Sequence, residues 1–439
     1  MYGYTFQLHE NDREDHAKRL GLTLGEFDRL LISANNAYQV IKDLGPFYGK
    51  EENKEPTFRI TSDPVVLPKG SEQTLTILGN DLLYLARALQ KLPEGSKEKL
   101  GEDLDFTVPF SWRIDAIITP SGDLRVNEIE CVDSASALMT AEQLAYNLQP
   151  INESTAAKMI KAFQSIYPTK TEIHLALIRN DLENNPHTTN HTRLIEFIEK
   201  ISQGQVKIDL IDELLLQSLK TMPDWGKYDG VMNETSISPS ELEDFGVVRK
   251  KLIAAGNFSA LNNKGVFALL FDESHNEFWQ TSLGQDRFNR LKGILIPTEF
   301  ILLEKDIDRA RQQGEVVKAS WAGTNTVLIN RSKGVAIPEG DIIHGSNERW
   351  ESLKELFNQG VKIISQDFIK PAQIPAFLRK KGLTLEAVEW YNRVCVKYVV
   401  EGNPNGDEIP SVSLTATEVT LGPDIVPAGR KCAFTAGTF

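Results

Sequence analysis

Cysteine is scarce in this chain. Cys131, Cys395 and Cys432 are the only three in 439 residues, with no Cys-x-x-Cys pair and no short Cys/His spacing. That pattern excludes a disulfide scaffold and a compact zinc site. Cys131 has no His near it in sequence, so a buried structural thiol is expected there, not a nucleophile. Basic charge is also in deficit: 48 Lys and Arg stand against 61 Asp and Glu, a formal charge of −13. Nucleic acid and anionic membranes are not expected partners, because counterion release needs a basic footprint. A small anion held in a local basic pocket is still allowed. No apolar run reaches transmembrane length, and Met1-Tyr2-Gly3-Tyr4 opens into charged sequence instead of a signal peptide. The expectation is a reduced, cytoplasmic protein of two or three domains.

What is present is a run of acids in strand-like sequence. Arg113 to Thr119 alternates, as does Leu124 to Glu130, and Pro120-Ser121-Gly122-Asp123 between them supplies turn chemistry. A hairpin centred on Ser121-Gly122 sets Asp115 opposite Glu128 and Arg113 opposite Glu130. Glu128 and Glu130, two apart on one strand, share a face. Facing like charges destabilise a sheet, so the pair Asp115 and Glu128 asks for a cation. A hard divalent ion with oxygen ligands, typically Mg²⁺, suits Asp115, Glu128 and Glu130.

The first hundred residues read as helical. Phe27, Leu30, Leu31, Ala34, Tyr38 and Ile41 recur at helix spacing, and Leu82, Leu85, Ala86 and Leu89 mark a second helix before Pro93. From Glu172 the pattern alternates: strands at 173–178, 206–210 and 228–233, with an amphipathic helix at 192–201. That order implies a small parallel, Rossmann-like sheet, here without a Gly-x-Gly-x-x-Gly dinucleotide fingerprint.

A second set of chemistry begins at Gly284. Asp286-Arg287 opens a helical turn that ends at Ile296-Pro297, and 306–313 is a charged surface helix. Glu315-Val316-Val317-Lys318-Ala319 reads as a buried strand interrupted by a lysine, followed by a small-residue loop at 321–326 and a strand at 327–329. A lysine in such a strand is costly unless it meets an anion, so Lys318 is expected to bind phosphate. A strand at 361–369 follows the helix 347–358, and Arg393 is a further isolated cation in a strand-like run.

The order of these pieces resembles the lid and hinge of the ATP-grasp superfamily. Because the acidic hairpin precedes the hinge, the chain is similar to the circularly permuted members: the eukaryotic-type glutathione synthetases and the glutathionylspermidine synthetase group. Glu128-Ile129-Glu130 followed by Ser134-Ala135-Ser136 matches their Glu-Ile-Asn strand and Ser loop, with Glu130 in place of Asn. The sequence after Lys318 lacks the family's acid and glycine run, and Arg287 stands where a lid lysine is expected.

The resemblance implies an α/β (α+β) fold: a permuted ATP-grasp core, a Rossmann-like layer and a helical N-terminal region. The corresponding segments are 1–165, which carries the hairpin, 170–280 as substrate layer, and 284–439 as lid, hinge and C-terminal core. It implies ATP as co-substrate, with Lys318 and Arg287 on its phosphates and Gln366, Asp367, Phe368 and Ile369 as adenine hinge. Arg113 and Arg393 would steady an acyl phosphate and a carboxylate substrate, and Ser134 and Ser136 would touch the substrate. The implied reaction joins a small carboxylate to a small amine, with a homodimer as the candidate assembly. Alternatives are ligation to a polyamine and a nucleotide-binding pseudoligase.

Overall fold

Ser111–Ile118, the first strand of the expected hairpin, is buried along its whole length. The reason lies in its neighbours. A computed structural model of the chain describes residues 10–44, 59–101, 103–131, 135–179, 188–218, 223–235, 237–320, 335–336, 347–380, 384–404, 406, 408–423 and 432–439. In it the hairpin strands Ser111–Ile118 and Leu124–Glu130 end a large mixed sheet. Next to Ser111–Ile118 runs the long strand Thr384–Glu401, then Ser411–Gly422, Ala433–Thr438 and Arg59–Ile60. Gln373–Lys380 pairs with the first half of Thr384–Glu401.

The two faces of this sheet differ in chemistry. Trp112, Ile114 and Ala116, with Val394, Val396, Tyr398, Val419 and Leu421, form a core with Leu75, Leu78, Leu82 and Leu89 of the helix Ser71–Gln90. Burying each such aliphatic side chain contributes about 1.5–3 kcal/mol, which anchors this helix on the sheet. The approach is close: a Cβ added at Gly79 would lie 2.6 Å from the Tyr398 ring. The opposite face carries Arg113, Asp115, Arg393, Cys395, Lys397 and Glu418.

A second sheet is fully parallel, in the order Val206–Asp212, Ile173–Arg179, Gly230–Glu234, Leu252–Ala254. It contains the three expected strands and a fourth, Leu252–Ala254, too short to stand out in the sequence. A third, antiparallel sheet joins Val335–Ala336, Val316–Ala319, Ile363–Gln366 and Thr298–Phe300.

The fold is mixed α/β, as the sequence leads one to expect, with two differences. The first hundred residues are not helical throughout: Arg59–Ile60 and Val65–Val66 pair in parallel with Ala433–Thr438. The strand expected at 361–369 is confined to Ile363–Gln366. The loop 321–326 and the strand expected at 327–329 lie outside the described residues. No helix among the described residues is long and apolar enough to cross a membrane.

Candidate metal and phosphate site

The hairpin reaches its pairing by a route the sequence did not suggest. Arg113 pairs with Glu130 and Asp115 with Glu128, but the next pair is Ala116 with Val126. Asn127 is therefore a bulge, and the turn closes one residue earlier than expected, with Thr119 N donating to Asp123 O at 2.9 Å. Gly122 in this turn has φ +86°, which glycine adopts at no steric cost. The two shifts cancel at the acids. The bulge also frees the Asn127 carbonyl, which accepts hydrogen bonds from Gln366 Nε2 at 3.3 Å and Lys318 Nζ at 3.5 Å. In this way the bulge ties the hairpin to the antiparallel sheet.

One ligand oxygen each from Asp115, Glu128 and Glu130 lies within 4.8 Å of the others. Each acid also faces a protein cation. Arg113 donates from Nε and Nη2 to Asp115 at 2.8 and 3.1 Å and reaches Glu130 at 2.5 Å. Arg393 Nη1 stands 3.7 Å from Asp115 Oδ2. Lys264 Nζ stands 3.1 Å from Glu128 Oε2. Burial pushes the Glu128 carboxyl up, but Lys264 and Lys318 outweigh it and hold the group well below the usual range. Glu130 is shifted the other way: burial, Asp115 and Glu128 together exceed the pull of Arg113. Burial brings Lys318 down to about 8, with Glu128 opposing the shift.

Lys264 is the residue that sequence reasoning missed. Its position is fixed from three sides. Asn262 Oδ1 accepts from Cys131 N at 3.0 Å, Asn263 Nδ2 donates to Leu100 O at 2.7 Å, and Lys264 N donates to Ser320 O at 2.8 Å. The loop thus grips both the end of the hairpin and the end of the Lys318 strand. Asn262-Asn263-Lys264-Gly265 before an apolar helix was the available signal.

Arg287 is not brought to the acids. Its guanidinium lies 3.6 Å over the Tyr84 ring and 3.6 Å from Asp81, which Arg290 also binds at 2.8 Å. Asp81 is 2% exposed and needs these cations, so Arg287 serves the packing of two helices. Gln366 is buried, with its side chain on Thr298 Oγ1 and the Asn127 carbonyl, while Asp367 is exposed and donates from N to Pro297 O at 3.1 Å. Phe368 and Ile369 follow it, half-buried. Ser136 begins the helix Ser136–Ala145 and is buried; Ser134 lies outside the described residues.

Cys131, Cys395 and Cys432 are all buried. Burial pushes the Cys131 thiol up to about 12 and raises the Cys395 thiol well above its ordinary value.

No known protein family and no curated protein matches this chain. Among solved structures, a glutathione synthetase-like effector from Globodera pallida in its apo form aligns over 99% of both chains, with TM-score 0.59 and 12% identity. A protein assigned as a gamma-glutamylcysteine synthetase from Methylobacillus flagellatus aligns over 84% of this chain and 86% of its own, at 11% identity and TM-score 0.42. The first likeness gives this chain a glutathione synthetase-like fold; at such identity it bears on fold and not on activity.

Proposed function

We propose that this chain is an ATP- and Mg²⁺-dependent carboxylate–amine ligase built on a circularly permuted ATP-grasp core. One observation carries the reading: three clustered acids face Lys264, Lys318, Arg113 and Arg393, drawn from separate parts of the chain. Oxygen donors from Asp115, Glu128 and Glu130 fit a hard divalent cation, which when bound would offset the charge of the nucleotide phosphates.

In this reading Lys318 and Lys264 hold the phosphates, Lys264 exchanging Glu128 for a phosphate oxygen. Phosphoryl transfer between anions needs neutralised charge and fixed position more than covalent chemistry from the protein. The carboxylate substrate attacks the γ-phosphorus, ADP leaves, and an acyl phosphate forms. The amine then attacks the acyl carbon and releases inorganic phosphate. Arg113, locked on Asp115 and Glu130, and Arg393 would steady the acyl phosphate. Backbone groups from Gln366 to Ile369 would meet adenine, and the loop of Ser134 and Ser136 the substrate.

ADP release, measured across a panel of acids paired with amino acids or polyamines, tests the assignment. A saturable, Mg²⁺-dependent signal for one pair is expected. A second reading, a nucleotide-binding pseudoligase, is favoured by the sequence after Lys318, Ala-Ser-Trp-Ala-Gly, which has no acid to act as a further metal ligand. ATP binding without ADP release for every pair would select it.

A further inference from the structure

On the polar face of the main sheet, Glu128, Asp115, Cys395 and Glu418 sit side by side in register on four neighbouring strands. Strands lie about 4.8 Å apart, so Glu418 is roughly 10 Å along this row from Asp115. The helix Ser136–Ala145 covers that end: Met139, with Ala135 just before the helix, packs on Cys395 and Ala416. Glu142, three residues after Met139, is on the same helix face.

Glu142 and Glu418 are 1% and 2% exposed. Both oxygens of Glu142 and one of Glu418 lack a hydrogen-bond partner among the described residues. Arg393 Nε, on the strand next to that of Glu418, is likewise buried without a partner. Burial pushes Glu418 up to about 7 although Arg113 and Arg393 oppose it, and burial with Glu418 raises Glu142 well above the carboxylate range. As a purely structural pair this is costly, since apolar side chains of like size would fill the space more cheaply. The oxygens call for N–H donors from a cation.

We propose that Glu142 and Glu418 form a subsite for the primary ammonium group of an aliphatic amine. On the ligase reading, and only there, this amine is the one joined to the carboxylate. Its acidic walls select against a second carboxylate beside the nitrogen. An amino acid and a polyamine present the same ammonium, and the experiment separates the two sources.

Calorimetric titration of glycine and of spermidine, into the protein with and without Mg²⁺–ATP, reads the subsite. Saturable binding of spermidine is expected, with glycine weaker. Glu142→Gln and Glu418→Gln should each weaken it about tenfold or more, the worth of a charge-assisted hydrogen bond. ATP affinity should stay as in the wild type. Gln keeps the shape of the neutral acids that burial favours in the free protein, so the melting temperatures of the variants should not fall. If either variant fails to fold, 1,4-diaminobutane against neutral 1,4-butanediol on the wild type decides: only the diamine should bind. Absence of amine binding, equal affinity in wild type and both variants, or equal binding of the diol would overturn the subsite. Loss of ATP binding alone would count against the ligase reading, and titration without nucleotide would still decide the subsite.

Discussion

Lys264 Nζ lies 3.1 Å from Oε2 of Glu128, the acid that faces Asp115 across the hairpin. The cation demanded by two opposed carboxylates is thus supplied from within the chain, and a metal ion must compete with it. Lys264→Met should therefore enlarge the rise in melting temperature caused by Mg²⁺, while lowering stability without metal by about 1–3 kcal/mol. The pair is about a fifth exposed, 21% for each side chain, which places the cost below that of a fully buried pair. Thermal melts of both proteins with and without Mg²⁺ check this. An unchanged or smaller Mg²⁺ effect in the variant would remove Glu128 from the metal site.

Lys318 is buried and titrates near 8, so nucleotide binding should depend on pH there. Phosphates favour the charged lysine. Above pH 8 the free protein holds a neutral Lys318, and ATP binding must take up a proton; below pH 7 it need not. Affinity should fall as pH rises through 8. Lys318→Met should abolish the uptake and weaken ATP about tenfold or more, whereas Lys362→Met, at an exposed position, should do neither. Calorimetry at pH 8.5 in buffers of different ionisation heat measures the proton directly. Equal uptake in wild type and Lys318→Met would take that lysine off the phosphates.

The hairpin and its acid pairing were legible in sequence because alternation and turn residues are local signals. The Asn127 bulge was not, since the two one-residue shifts that cancel at Asp115 leave no trace in the pattern. The parallel sheet could be read from its strand–helix order, apart from the three-residue strand Leu252–Ala254. Lys264 was missed because its meaning is tertiary: only the folded loop at Asn262 and Asn263 carries it to Glu128. Arg287 was misplaced for the converse reason. Its helix has the expected pattern, but Asp81, far away in sequence, takes its charge. Glu142 and Glu418 looked like ordinary helix and strand polar residues, and only burial on both sides singles them out.

Asn392 fastens the hairpin to the long strand. Its side chain accepts from Ile118 N at 2.8 Å and donates to Ile118 O at 3.1 Å and Ala372 O at 2.8 Å. The residue is fully buried. Asn392→Ala leaves Ile118 N and Ala372 O without this partner, while Ile118 O still accepts from Ala372 N at 2.7 Å, and should cost about 2–4 kcal/mol. Denaturant unfolding at fixed m-value measures it. A loss under about 1 kcal/mol would show that the groups find other partners.

The acyl phosphate itself can be trapped. Supplied with ATP, Mg²⁺ and the correct carboxylate but no amine, the protein should accumulate it, and hydroxylamine should convert it to a hydroxamate. The cysteines offer no competing thioester route, since burial holds the Cys131 and Cys395 thiols in their neutral form. Arg393 places Nη1 3.7 Å from Asp115 and leaves Nε buried without a partner, so its guanidinium has donors for a reacting carboxylate. Arg393→Ala should lower the hydroxamate yield about tenfold or more, the worth of a charge-assisted contact, with ATP affinity changed less than threefold. Comparing the two readouts in one variant separates substrate handling from nucleotide binding. Hydroxamate formed by Arg393→Ala at the wild-type rate would keep the ligase reading and dismiss this arginine from the site; no hydroxamate from the wild type with any acid tested, while ATP still binds, would leave the pseudoligase.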